Sequence, residues 1–166
     1  MVTLNFTAMD SHPSVVSALF RKLLSQRFAP WLRRTAKVRT KTEPTYVWAL
    51  EAAGGQLAVH WLVLIPSEIR AAFEEKLGSW TNEISGGEAD ETAVDVRPIS
   101  NLLGARKYIL KGTEPNYAAL LKINHVNQGE VIGKRAGASK NLSHFQRRKA
   151  GYRPKRWAPI PIRPTI

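Results

Sequence analysis

Two adjacent segments are strand-like apolar runs, TYVWALEA (45–52) and LAVHWLVLI (57–65), the second broken by one imidazole, His60, and the two are separated by a Gly-Gly at 54–55. This pattern predicts a β-hairpin closed by a tight turn. VTLNFT (2–7) alternates as a strand should, and AVDVRPI (93–99) predicts a further strand. Between the first strand and the hairpin, Val15, Val16, Leu19, Phe20, Leu23 and Leu24 recur at helical spacing on one stripe. SHPS (11–14) supplies the start of that helix, and Pro30 is expected to end or kink it. After the hairpin, Pro66 and Ser67 open a helix over 67–80, with Ile69, Phe73 and Leu77 four residues apart. A polar loop (82–91) follows the helix. Ser100 is expected to cap a helix over 101–111 that Gly112 ends, and 114–124 reads as a short helix. The order β-α-β-β-α-β-α predicts an α+β fold, a ferredoxin-like split-βαβ sandwich with a central antiparallel sheet and helices on one face. Residues 1–130 are expected to form this domain, and 131–166 a basic, extended C-terminal extension that contacts nucleic acid.

The hairpin carries chemistry. With Gly54-Gly55 as a two-residue turn, Glu51 lies opposite Ala58, and Val47, Ala49, Glu51, Gln56, Ala58, His60 and Leu62 share one sheet face. Diagonal neighbours across a sheet are roughly 7 Å apart, so Glu51 and His60 converge on an otherwise apolar surface. A carboxylate and an imidazole meeting there can share a divalent cation, and the oxygen–nitrogen mixture suits Mn²⁺ or Mg²⁺ better than zinc. A plain buried Glu–His hydrogen bond is the competing reading. Tyr108 and Lys111, three residues apart, are expected on one face of the helix over 101–111. A tyrosine is a poor nucleophile unless its developing charge is stabilised, and Lys111 is placed to do that. His125 stands as a more distant candidate ligand, with a loop or core role favoured.

Charge changes the picture of partners. The 166 residues carry 25 Lys+Arg against 13 Asp+Glu, a net charge of +12. The excess sits in two blocks without any acid, residues 21–41 and 131–166. Arg33, Arg34, Lys37 and Arg39 follow Trp31; Lys134, Arg135, Lys140, Arg147, Arg148, Lys149, Arg153, Lys155 and Arg156 surround Phe145, Tyr152 and Trp157. Cations neutralise phosphates and interleaved aromatics stack on unpaired bases, so nucleic acid is the expected partner, single-stranded or hairpin DNA ahead of RNA. GKRAG (133–137) lacks the full phosphate-loop pattern, which argues against nucleotide hydrolysis. The chain has no cysteine, which excludes disulfides, thiolate zinc sites and cysteine nucleophiles and suits a reducing cytoplasm. Neither a membrane span nor a secretory signal is expected, so no membrane partner is.

A strand and helix, then the hairpin bearing Glu51 and LAVHWLVLIP, then a helix bearing YILK, together resemble the HUH endonucleases, the rolling-circle replication initiators, relaxases and single-strand transposases. Within that group the likeness is to small plasmid and viral initiators with a single tyrosine. It spans roughly residues 1–115, and GEVIGKRAGASKNLS (129–143) resembles the segment downstream of their tyrosine. The resemblance implies that His60 matches the second metal-binding histidine, Glu51 the assisting carboxylate, Tyr108 the nucleophile that forms a 5′-phosphotyrosine, and Lys111 the lysine beyond it. The position of the first histidine holds Ala58, which cannot ligate. The expected function is therefore metal-dependent nicking and strand transfer on single-stranded DNA, as in plasmid replication initiation. The alternatives are a catalytically degenerate DNA-binding module of the same fold, and a structural RNA-binding protein.

Overall fold

The computed structural model describes residues 1–39, 42–87 and 89–153, without the side chains of 36–39. Five strands form one antiparallel sheet: β1 (Val2–Asn5), β2 (Tyr46–Glu51), β3 (Ala58–Val63), β4 (Val94–Val96) and β5 (Ala136–Ala138), in the order β4-β1-β3-β2-β5. The helices are α1 (Pro13–Lys22), α2 (Ala29–Arg39), α3 (Arg70–Ser85), α4 (Leu102–Ile109), α5 (Pro115–Leu120) and α6 (His144–Lys149). The class is α+β.

Period-two alternation decides which residues enter the core. Val2, Leu4, Trp48, Leu50, Val59 and Trp61 point to one side, where Phe20 and Phe28 of the first helical stretch and Phe73 and Leu77 of α3 meet them. Trp61 is the hub, with Phe28 edge-on at 4.8 Å and Phe20 and Phe73 each at 5.7 Å between ring centroids. Edge-to-face packing of this kind adds to the stabilisation from buried area. Trp31 belongs to the same cluster, against Phe73 and Trp80, and is therefore a packing residue rather than a base-stacking platform.

The hairpin has the expected register, Glu51 opposite Ala58 and Ala49 opposite His60. Gly54 and Gly55 have φ of 60° and 79°, and the Gln56 N–H donates to the Ala53 carbonyl at 3.0 Å, which are the requirements of a type I′ turn.

Other expectations need correction. Pro30 does not end its helix. A π-helical turn over Leu23–Phe28, with the Ala29 N–H bonded to the Leu24 carbonyl, takes up the strain of the missing proline donor and lets α2 continue to Arg39. α3 runs past residue 80 to Ser85, where Gly86 caps it at φ 79°. Asn101, not Ser100, caps α4, accepting from the Gly104 N–H at 2.9 Å. The helices do not lie on one face. The second face presents Val47, Ala49 and Leu62, and α4 lies over it with Ala105 and Ile109 across an open apolar pocket of about 540 Å³.

Residues beyond 130 were expected to form an extended arm, but 131–142 return to the domain, and exposed α6 follows them. β5 pairs with β2, and the carbonyls of Arg135 and Gln128 accept from the N–H groups of Leu50 and Ala52, both at 2.7 Å. Small residues make this edge possible: a Cβ on Gly137 would lie 2.8 Å from the Trp48 ring.

Candidate active site

β2 and β3 deliver Glu51 and His60 to the second sheet face, as the alternation requires, and the imidazole Nε2 is 2.7 Å from Glu51 Oε1. His60 is 5% exposed. Its other ring nitrogen, Nδ1, is 3.2 Å from the hydroxyl of Thr3, which stands opposite His60 on β1. A carboxylate only accepts, so Nε2 carries the hydrogen toward Glu51, and Nδ1 shares a second hydrogen bond with the Thr3 hydroxyl. Thr3 was not singled out from the sequence. The signal was there, because the alternation that buries Val2 and Leu4 turns Thr3 to the opposite face.

The end of α4 closes the site from above. Tyr108 stacks edge-on against His60, with ring centroids 4.7 Å apart, and its hydroxyl lies 3.2 Å from the same Nε2. Since that nitrogen's hydrogen is directed at Glu51, the phenol oxygen can only share it as an acceptor, and the phenol keeps its own proton free to leave. Tyr108 is 38% exposed, so a substrate can reach it. Lys111 lies past the last helical residue, in the turn that follows. Its ammonium is 4.0 Å from the centre of the Tyr108 ring and 2.8 Å from Glu51 Oε2. The Lys111–Glu51 contact is a charge pair, not an aligned hydrogen bond.

Electrostatics bind these groups into one unit. Desolvation pushes the Glu51 carboxyl up, but the hydrogen bond from His60 and the ion pair with Lys111 outweigh it and bring the pKa down to about 2. Lys111 shows the same balance in mirror image. Burial pulls it down, while Glu51 and Tyr108 together hold it above its ordinary value. Glu51 is thus a fixed anion, and Lys111 a fixed cation beside the phenol.

Glu51, His60, Tyr108, Lys111, Gln128 and Arg135 line one pocket of about 190 Å³. Gln128 was missed by sequence reading, and no pattern marked it, since it is a single polar residue in a loop. It is 4% exposed, and its Nε2 donates to the carbonyls of Val126 and Asn127. Among the described residues nothing pairs with its Oε1. Gly112 permits this approach: a Cβ there would sit 2.7 Å from the Gln128 side chain. Arg135 donates to the Gly129 carbonyl at 3.0 Å.

Among the described residues no three His, Cys, Asp or Glu side chains come together as a metal centre. The donors that do meet are a carboxylate and an imidazole, with Gln128 elsewhere on the pocket wall. That oxygen–nitrogen set fits a hard divalent cation. Ala58 faces the pocket side of β3 and contributes no donor. His125 takes no part, since it bonds the Thr113 carbonyl at 2.8 Å and is exposed.

The remaining basic residues lie apart from the pocket. Arg33 and Arg34 are on exposed positions of α2, and Arg33 pairs with Glu43 at 3.8 Å. Lys37 and Arg39 are on α2 but their side chains lie outside the described residues, as do Lys155, Arg156 and Trp157 altogether. Lys134 and Lys140 flank β5, and Arg147, Arg148 and Lys149 line exposed α6, with Arg153 just beyond. Phe145 and Tyr152 are exposed among them, and the Arg147 guanidinium sits 5.5 Å from the Tyr152 ring. Among the described residues no helix is long and apolar enough to cross a membrane.

No protein-family model matches the chain, and neither curated proteins nor solved structures give a significant match.

Proposed function

We propose that this protein nicks single-stranded DNA and holds one end through a covalent 5′-phosphotyrosine on Tyr108, in the manner of the HUH endonucleases it resembles, and so serves as a plasmid-type rolling-circle replication initiator. The observation that carries this reading is the hydroxyl of partly exposed Tyr108, 3.2 Å from a histidine that a carboxylate orients, with a lysine ammonium over the ring. The strand order β4-β1-β3-β2, with helices crossing between β1 and β2 and between β3 and β4, supports reading the domain as a split-βαβ unit. The basic residues around β5 and α6, interleaved with exposed Phe145 and Tyr152, suit an unpaired strand. The lack of cysteine suits work in a reducing cytoplasm.

In the proposed step the Tyr108 oxygen forms a bond to phosphorus and the bond from phosphorus to the 3′ oxygen breaks. The phenol gives up one proton and the leaving 3′ oxygen takes up one, so charge is conserved. Lys111 stabilises the phenolate as it forms, and Arg135 is placed on the pocket wall for the non-bridging phosphate oxygens. Glu51 and His60 would hold Mn²⁺ or Mg²⁺, which when bound supplies Lewis-acid polarisation of the phosphodiester.

Ala58 favours a second reading, in which the same fold binds DNA without cutting it. One assay separates the two. The protein is incubated with a 3′-labelled random-sequence pool of single-stranded DNA and Mn²⁺ and resolved under denaturing conditions. A labelled protein band that disappears in Tyr108→Phe supports nicking. DNA binding without such a band, with a band appearing in Ala58→His, supports the binding module. Preference for RNA with neither rejects both.

A further inference from the structure

We infer that a second pocket beside Tyr108, lined by Lys107, Lys111 and Lys122, is a subsite for a phosphodiester of the single strand adjacent to the one that Tyr108 attacks. The inference rests on the proposed function in placing a DNA strand at Tyr108. It adds two residues, Lys107 and Lys122, that lie in neither basic block of the sequence.

This pocket is open, with a volume of about 300 Å³, and it adjoins the candidate active site. Tyr108 and Lys111 line both pockets and so form the wall between them. Glu51 and His60 line only the first; Lys107, Lys122 and Asn124 line only the second. Among the described residues no carboxylate lines the second pocket. Lys111 is paired with Glu51, but neither Lys107 nor Lys122 has an acidic partner among the described residues, and both are exposed. Cations gathered in one concavity without a counter-charge raise its positive potential and draw in an anion. The Asn124 amide adds a neutral donor for a phosphate oxygen.

The backbone gives a second, independent reason. α5 ends in a Schellman turn: the Ile123 N–H donates to the Ala118 carbonyl at 2.9 Å and the Lys122 N–H to the Ala119 carbonyl at 3.2 Å. That turn puts Lys122 at φ 54°, in the left-handed region. Glycine is favoured at this position, because an L side chain crowds its own backbone there. Ile123 is buried and anchors the turn, whereas the Lys122 side chain is exposed. Lysine therefore destabilises the turn it occupies, and no carboxylate of the described fold uses its charge. A phosphate at the pocket is the partner that accounts for it.

Fluorescence anisotropy of a short labelled oligothymidylate with the full chain, in EDTA and over a series of salt concentrations, reads binding without cleavage. Lys122→Gly is expected to bind several-fold more weakly at low salt, with a slope of log affinity against log salt smaller by about 0.7, the loss of one phosphate contact on a single strand. Its thermal midpoint should equal or exceed that of wild type, because glycine suits the turn. Lys107→Ala should weaken binding in the same sense. Lys76→Ala, at an exposed position of α3 that lines neither pocket, should stay close to wild type in affinity and slope. Unchanged affinity and slope in Lys122→Gly overturn the inference, as does an equal loss in Lys76→Ala, the mark of a general charge effect. A lower midpoint in Lys122→Gly also overturns it, since the lysine then serves the fold. Weakened binding as expected, with no covalent product on Tyr108 once Mn²⁺ is supplied, rejects the nicking proposal and leaves the subsite standing. A covalent product with binding unchanged in Lys122→Gly rejects the subsite alone.

Discussion

Replacing Glu51 by glutamine removes the one fixed negative charge from a pocket that holds His60, Lys111 and Arg135. The carboxyl is 17% exposed at its side chain, so solvent screens its contacts only in part. Its pKa falls from an ordinary 4.5 to about 2 in the fold, and at about 1.4 kcal/mol per unit this corresponds to about 3 kcal/mol of stability. The folded-state value is depressed, so that contribution is complete above pH 4.5 and fades as pH falls toward 2. Urea unfolding of wild type and Glu51→Gln at a series of pH values from neutral down to about 2 reads it directly. Wild type should be more stable by about 3 kcal/mol near neutral pH, with the gap closing as pH falls from 4.5 toward 2. Glu83 and Asp90, also held below their ordinary values, titrate in both proteins and cancel in the difference. A gap that stays constant across this range, or no gap at neutral pH, refutes the claim that Glu51 is an anion held by His60 and Lys111.

Packing and charge distribution set three other outcomes. Gly137→Ala drives a Cβ into the buried Trp48 ring and should lower stability by about 1–3 kcal/mol in a thermal or urea melt. Trp31→Ala should cost about 2 kcal/mol or more, as truncation of a core aromatic does, and leave the salt dependence of DNA binding unchanged. Arg147→Ala combined with Arg148→Ala should reduce the slope of log affinity against log salt by about 0.7 for each phosphate these side chains neutralise, with little change in stability, as read by fluorescence anisotropy.

What could be read from the sequence and what could not divide along physical lines. The hairpin register was legible because a period of two leaves no freedom. Once Gly54 and Gly55 make the turn, Glu51 must face the same side as His60, and their 2.7 Å contact follows. The nearness of Tyr108 and Lys111 was legible as a pair, but their meeting with the hairpin depended on α4 crossing the second sheet face, which local periodicity does not encode. Pro30 does not end its helix, because a π-turn over Leu23–Phe28 precedes it and the helix continues to Arg39. β5 was invisible because Ala-Gly-Ala carries no alternating pattern; it is a strand through its pairing with β2, and Gly137 leaves room for the Trp48 ring. Gln128 was invisible for the same reason: its place on the pocket wall is set by main-chain pairing to Ala52.

The most direct test of the account is peptide mapping by mass spectrometry after incubation with single-stranded DNA and Mn²⁺, followed by nuclease trimming to a nucleotide remnant. The account predicts a remnant joined through a phosphate to the peptide containing Tyr108, and its disappearance in Tyr108→Phe. A remnant on any other residue, or none under conditions where the DNA is cut, contradicts it.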